Sequence, residues 1–120
     1  MVTDQREGEH EEGQLAIDVF QTVEHIVIQA PIAGVRPEDL DISITDETVV
    51  IKGERHNQHK ASDDDYYVQE CYFGPFSRTY TLPALVIADK AGAVLKDGIL
   101  TITIPKDARS RTKSVAVQAG

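Results

Sequence analysis

Tryptophan is absent from this chain, cysteine and methionine each occur once, and aromatic residues make up 6% of the sequence. A hydrophobic core must therefore be built mainly from Val, Ile, Leu and Ala. The single cysteine, Cys71, excludes an internal disulfide and is typical of a reducing compartment. Acidic residues outnumber basic ones by 20 to 12, for a formal net charge of -8. This balance argues against a nucleic-acid backbone or an anionic membrane as the main partner.

Long apolar runs are missing as well. No segment approaches the roughly 20 apolar residues that span a bilayer, and the acidic first residues contain no signal-peptide core. We therefore expect a cytoplasmic protein. A length of 120 residues suits a single domain. We expect residues 1–13 to form a disordered acidic arm, residues 14–105 the domain, and residues 106–120 a flexible C-terminal tail.

The clearest local pattern lies near the C-terminus. Asp97-Gly98 is a preferred pair for a two-residue hairpin, because both central residues of that turn need a positive φ. After it, Leu100, Ile102 and Ile104 alternate with threonines, which predicts a strand with one apolar and one polar face. Pro105 ends that strand, since proline cannot donate to a ladder.

The same period of two recurs along the chain. It predicts further strands at 15–19, 26–30, 40–44, 48–52, 76–82 and 91–95, with weak strand character within 66–72. Pro37-Glu38-Asp39 is typical of a loop or a single helical turn. No helix-period segment of useful length occurs. Seven or eight short strands without intervening helices predict an all-β protein, an antiparallel β-sandwich.

Residues that could carry catalysis are few. The sequence contains no phosphate-binding glycine loop, no Gly-x-Ser-x-Gly elbow and no Cys-x-x-Cys pair. Cys71 has no adjoining Lys, Arg or His to activate its thiol, so its interpretation as a small hydrophobe is favoured. His56 and His59 stand near three aspartates, but such a polar loop is more often simply solvated. We expect no enzyme activity, no cofactor and no metal.

Four segments together indicate a family. Ala93, Asp97, Gly98, Ile99 and Leu100 match the pattern Ala-x-x-x-Asn/Asp-Gly-Val/Ile-Leu. Three further segments follow the order and spacing of the same family. They are residues 30–42, the triplet at 53–55, and residues 72–83 (Tyr-Phe-Gly-Pro-Phe-Ser-Arg-Thr-Tyr-Thr-Leu-Pro). Over about residues 14–117 the chain resembles the small heat-shock proteins, the α-crystallin-domain family, of the bacterial and plant type.

The resemblance implies an immunoglobulin-like sandwich of seven to eight strands that forms dimers and larger homo-oligomers. It implies an ATP-independent holdase, a chaperone that binds partly unfolded client proteins and limits their aggregation. It also implies that a strand within 66–71 pairs with the first strand of a partner. The dimer interface would then include Tyr66, Tyr67, Val68, Glu70, Leu15, Ile17 and Arg78.

The C-terminal Val115-Ala116-Val117 stands where the family has an Ile/Val-x-Ile/Val motif. The resemblance implies that Val115 and Val117 fill a groove on a neighbouring dimer. The groove would be lined by Leu40, Ile42, Ile44, Ala91, Ala93 and Leu95. Side chains at i and i+2 point the same way on an extended segment, and the polar linker from 105 to 114 reaches about 33–36 Å when extended. The alternative is a frayed tail with two incidental valines.

Three functional hypotheses follow. The first is the holdase. The second is an adaptor or co-chaperone module built on the same sandwich and lacking holdase activity. The third, an enzyme that depends on the Cys71 thiol, has the least support. Protection of a heated client protein separates the first two hypotheses.

Overall fold

The computed structural model describes residues 13–59, 61–110 and 115–120. The acidic arm predicted for residues 1–13 lies outside the described residues except for Gly13, and so do residues 111–114 of the tail. The part of the chain that the structure describes forms no helix long and apolar enough to cross a membrane.

Within these described residues, eight strands form two four-stranded sheets, and the predicted all-β sandwich is confirmed. The first sheet has the order β1-β6-β5-β4, and the second has the order β2-β3-β8-β7. The strands are β1 Gly13–Gln14, β2 Asp18–Gln21, β3 His25–Pro31, β4 Leu40–Ile44, β5 Thr48–Arg55, β6 Gly74–Thr81, β7 Gly92–Lys96 and β8 Ile99–Pro105. Pairing is antiparallel throughout, except that β1 runs parallel to β6.

The core lies between the sheets and is aliphatic, as the composition requires. Its fully buried side chains come from alternating positions of the central strands, so the period of two in the sequence marks the inward face. They are Ile26, Ile28, Ala30, Val49, Ile51, Leu100, Ile102 and Ile104, with Ile32 from the loop after β3.

The hairpin between β7 and β8 is the one predicted. Asp97 and Gly98 have φ of 53° and 77°, so both occupy the left-handed region that a two-residue turn of this kind needs. The amide of Ile32 donates to the Gly98 carbonyl at 2.7 Å, which ties the turn to the loop after β3. The single helical turn is also present, as a 3-10 turn at Pro37–Asp39.

The first strand differs from the prediction. Leu15 and Ile17 were expected on one continuous strand, but the chain leaves the first sheet after Gln14 and joins the second sheet at Asp18. The alternation persists because both side chains still face the core: Leu15 is buried, and Ile17 packs partly buried against it. The period of two predicts which side chains are buried, but it does not predict which sheet the backbone joins.

The contacts of the sandwich extend beyond the expected end of the domain at Pro105. Lys106 forms an isolated β-bridge with Val86, and the amide of Asp107 donates to the Leu85 carbonyl at 2.9 Å. A 3-10 turn follows at Ala108–Ser110. The residues from 106 to 110 are therefore attached to the sandwich.

Candidate functional site

Strands β4 and β7 each end one of the two sheets. The chain crosses from β1 to β2 within three residues, which keeps the other two sheet ends close together. This topology implies that β4 and β7 share the opposite side of the sandwich. Neither strand has a neighbour beyond it among the described residues.

The inward side chains of β4 are incompletely covered. Leu40, Ile42 and Ile44 alternate with exposed Asp41 and Ser43. Ile42 stands opposite fully buried Ile51, and Ile44 opposite fully buried Val49, so all of them point between the sheets. Leu40, Ile42 and Ile44 nevertheless remain only partly buried against the core. The edge of the first sheet thus presents an apolar row that the described residues cover only in part.

The row on β7 has the same character. Ala93 pairs with Ile102 and Leu95 with Leu100, and both partners are buried in the core. Ala91 and Leu95 are partly buried, whereas Ala93 is exposed. The six residues predicted to line a groove thus lie at the end strands of the two sheets, and all of them are partly buried or exposed: Leu40, Ile42, Ile44, Ala91, Ala93 and Leu95. That the two rows form one groove stays a prediction, and we call the site made of these six residues the edge groove.

The tail motif does not occupy the edge groove in this single chain. Val115 and Val117 are 80% and 95% exposed, and Ala116 between them is exposed too. The segment carries no regular secondary structure. Two apolar side chains are thus held in solvent, at a spacing that puts them on one side of an extended chain.

The segment 66–71 forms no strand in one chain, where the sequence has weak strand character. A 3-10 turn at Asp63–Asp65 precedes it, and the backbone then runs irregularly to Gly74. Tyr67, Val68 and Glu70 are exposed, with Tyr67 fully so, while Tyr66 is partly buried and its hydroxyl accepts from the Ala61 amide at 3.4 Å. A strand needs an edge to pair with, and this segment pairs with none of the strands that the structure describes. Its pairing with a partner stays a prediction.

Arg78 lies on the inward face of β6, between Phe76 and Tyr80, as the alternation predicts. Its guanidinium Nη1 donates to the carbonyl of Leu15 at 2.9 Å. The amide of Leu15 in turn donates to the Ser77 carbonyl at 3.2 Å. The arginine therefore ties the crossover between the two sheets to β6, and its place at a dimer interface stays a prediction.

Tyr72 also holds the start of the domain against β6, although the sequence did not single this residue out. Its hydroxyl donates to the Pro75 carbonyl and accepts from the Gly13 amide at 3.2 Å. A Cβ on Gly13 or Gly74 would stand 3.1 Å from atoms of this side chain. Gly13 and Gly74 leave room for the Tyr72 ring, so these two glycines were the sequence signal for its position.

Cys71, His56 and His59 form no recognisable chemical site. Cys71 is exposed and lines an open cleft of about 460 Å³ beside β5. His56 Nε2 lies 3.6 Å from a carboxylate oxygen of Asp39. Among the residues that the structure describes, no three His, Cys, Asp or Glu side chains are arranged to hold a metal ion.

Comparisons with known proteins agree with this architecture. The model of the Hsp20/alpha crystallin family matches residues 18–118. Spore protein SP21 of Stigmatella aurantiaca is 34% identical over 102 residues, covering 85% of this chain and 60% of the relative. Small heat shock protein C2 of Rickettsia felis is 31% identical over 101 residues, covering 84% of this chain and 66% of the relative.

Solved structures give the same result. Heat shock protein 16.0 from Schizosaccharomyces pombe superimposes with a TM-score of 0.76 at 33% identity, covering 89% of this chain and 77% of that one. A small heat-shock protein from Xylella fastidiosa superimposes with a TM-score of 0.70 at 28% identity, covering 88% of this chain and 95% of that one. The chain spans 60% and 66% of the two curated relatives it matches here. With two sheets in this topology, a signature hairpin at Asp97-Gly98 and a family match over most of its length, the chain belongs to the Hsp20/alpha crystallin family.

Proposed function

We propose that this protein is an ATP-independent chaperone, a holdase that binds apolar segments of partly unfolded proteins and slows their aggregation. The observation that carries the proposal is the edge groove, where inward-facing side chains of β4 and β7 remain accessible. Burying apolar area there releases about 25 cal/mol per Å². An extended apolar segment therefore gains free energy by entering the groove, without any nucleotide.

We further propose that the protein assembles with itself through two contacts. In the first, the segment 66–71 adds as a strand to an edge of a partner chain, near Leu15 and Ile17, and Arg78 lies at that interface. In the second, Val115 and Val117 of one copy fill the edge groove of another. An extended segment with alternate side chains in two adjacent pockets is a common mode of peptide recognition.

The two occupants of the groove explain how binding of clients is controlled. A tail and a client segment compete for the same apolar rows, so client binding increases when the tail leaves. Two valines bind the groove more weakly than two isoleucines would, because each CH₂ that valine lacks reduces the free energy of burial by about 0.8 kcal/mol. A cytoplasmic location, where unfolding clients are available and Cys71 stays reduced, completes the proposal.

Aggregation of a heated client protein tests the holdase. Ala93→Phe places a large side chain in the edge groove at a position that is exposed, so the fold tolerates it. Val94→Phe adds the same ring one residue away on the opposite, outward face, where Val94 is already 62% exposed. Light scattering of the client should be suppressed by the unaltered chain and by Val94→Phe, and less so by Ala93→Phe.

Failure of the unaltered chain to slow client aggregation at any ratio would contradict the holdase and favour the adaptor or co-chaperone module. Equal protection by Ala93→Phe and Val94→Phe would leave a holdase but remove the edge groove as its binding site. Binding to a folded partner protein, without protection of heated clients, is what the adaptor hypothesis requires.

A further inference from the structure

The first residues after β8 are attached to the sandwich at two separate loops. The amide of Lys106 donates to the Glu24 carbonyl at 2.8 Å, in the turn between β2 and β3. The amide of Asp107 donates to the Leu85 carbonyl at 2.9 Å, and the amide of Leu85 donates back to the Ser110 hydroxyl oxygen at 2.8 Å. We call the segment 106–110 the tail root.

Lys106 anchors the start of the tail root through its side chain. It continues the inward series of Ile102 and Ile104, and it is 3% exposed. Its ammonium group donates to Gln21 Oε1 at 2.6 Å, at the last residue of β2. A charge buried in this way is costly unless it is hydrogen-bonded, so the chain gains by keeping Lys106 beside Gln21.

The end of the tail root is a closed turn. The amide of Ser110 donates to the Asp107 carbonyl at 2.8 Å, and the guanidinium of Arg109 contacts both carboxylate oxygens of Asp107, at 3.0 and 3.3 Å. The hydrogen bond with Asp107 and its charge raise the pKa of Arg109. The bond from the Leu85 amide to the Ser110 hydroxyl therefore holds the end of the tail root against the sandwich.

Attachment of the root changes the distance that the tail can cover. From Pro105 to Val115 there are ten residue steps, which extend to about 33–36 Å. From Ser110 to Val115 there are five, which extend to about 17–18 Å. Bonding of the root thus halves the reach of the two valines.

We propose that the tail root sets the reach of the C-terminal tail and so selects which second copy of this chain it joins. Ser110 and Asp107 are positioning residues, because they act on the tail through the bonds that hold the root to Leu85. With the root bonded, only an edge groove that opens within the shorter radius is filled. With the root released, more distant grooves become accessible and assemblies of other sizes form. This inference rests on the proposed docking of the tail in the edge groove.

The test compares four altered full-length chains with the unaltered one. Ser110→Ala removes the acceptor of the Leu85 amide, so the attached root then ends at Asp107 and the tail beyond it reaches about 26–29 Å. Insertion of five Gly/Ser residues after Ser110 lengthens the tail and leaves the root intact. Ser114→Ala is the matched control, because it makes the same substitution beyond the root. A chain that stops after Ser110 has no tail.

Two measurements are needed: hydrogen exchange at the Leu85 amide, and the mass distribution from size-exclusion chromatography with light scattering. Ser110→Ala should speed exchange at Leu85 at least tenfold, whereas the insertion and Ser114→Ala should leave it unchanged. Ser110→Ala and the insertion should both change the mass distribution in the same direction. Ser114→Ala should match the unaltered chain, and the chain without a tail should give the smallest species.

Two results would overturn the inference and leave the proposed function standing. One is a mass distribution unaffected by both Ser110→Ala and the insertion, although removal of the tail reduces the mass. The other is unchanged exchange at Leu85 in Ser110→Ala, which would mean that the hydroxyl does not hold the root. A mass that stays the same after removal of the tail would refute docking of the tail itself, and the control of reach with it.

Discussion

Ala93 and Ile102 stand opposite each other across the β7–β8 pair and point to the same side of the sheet, yet Ile102 is fully buried and Ala93 is exposed. Paired residues on one face of a sheet normally share their environment. The difference arises because β8 is covered by both of its neighbours and β7 ends the sheet. Ala93 therefore marks the place where the interior of the sandwich opens to solvent.

A polar group at Ala93 should weaken binding of an apolar segment. We expect Ala93→Asp to lower the affinity of a labelled peptide of residues 111–120 about tenfold or more, since burying an unpaired polar group costs at least about 1.4 kcal/mol. Val94→Asp adds the same charge on the outward face of the same strand and should bind the peptide as the unaltered chain does. Fluorescence anisotropy measures both, and equal affinities would place the peptide elsewhere.

The two tail valines should control solution mass. Replacing both Val115 and Val117 with Asp removes about 1.5–3 kcal/mol of apolar burial per side chain and adds charges that an apolar groove rejects. The average mass from light scattering should therefore fall. Ala116→Asp, which points to the other side of an extended tail, should leave the mass close to that of the unaltered chain. If Ala116→Asp is as disruptive as the double change, the alternating mode of docking is wrong.

Gly53 should be intolerant of any side chain. A Cβ there would lie 2.6 Å from Cζ of buried Phe76 and 3.0 Å from the Asp39 carbonyl oxygen, neither of which can move freely. We expect Gly53→Ala to lower the free energy of unfolding by about 1–3 kcal/mol, as overpacking of a core does. Gly92→Ala is the control, because a Cβ at that strand position meets nothing within 4 Å. Urea denaturation at one fixed protein concentration gives both values, and a similar midpoint for the two variants would contradict the prediction.

Loss of the Arg78 guanidinium should free the crossover between the sheets. Arg78→Met keeps the aliphatic part of the side chain and removes the hydrogen bond to the Leu15 carbonyl. A hydrogen bond from a charged donor contributes about 1.5–3 kcal/mol, and partial exposure puts the expected loss of stability near the lower value. The amide of Leu15 should also exchange faster. Thr79→Ala, one residue along on the exposed face, should alter neither quantity. Unchanged exchange at Leu15 in Arg78→Met would show that Ser77 alone holds the crossover.

Much of the fold could be predicted from the residues themselves. Alternation at Leu100, Ile102 and Ile104 gave the inward face of β8, and the left-handed pair Asp97-Gly98 gave the hairpin before it. These features depend on residues close together in the sequence, so they can be predicted from the local pattern. The six residues of the edge groove come from the family resemblance, and their union in one groove stays a prediction.

Other features could not be reached in this way. The split of the first strand at Leu15 depends on which sheet edge is free, and the hydrogen bond of Tyr72 to Gly13 joins residues 59 positions apart. The segment 66–71 has weak strand character but pairs with no strand in the described part of the chain, so no strand forms there. Lys106 is buried because it continues the inward alternation of β8 one residue past Pro105. The sequence contained this pattern, but proline usually ends a strand, so the prediction stopped there.

The sequence by itself determined the sandwich, its inward faces and its turns, because periodicity and the steric limits of φ act between residues close along the chain. The tertiary structure alone decided which strands end the sheets, and therefore which inward-facing side chains stay partly exposed. It also decided that residues 106–110 are attached to the sandwich, since hydrogen bonds to the loops around Glu24 and Leu85 form only after those loops have been brought to the end of β8.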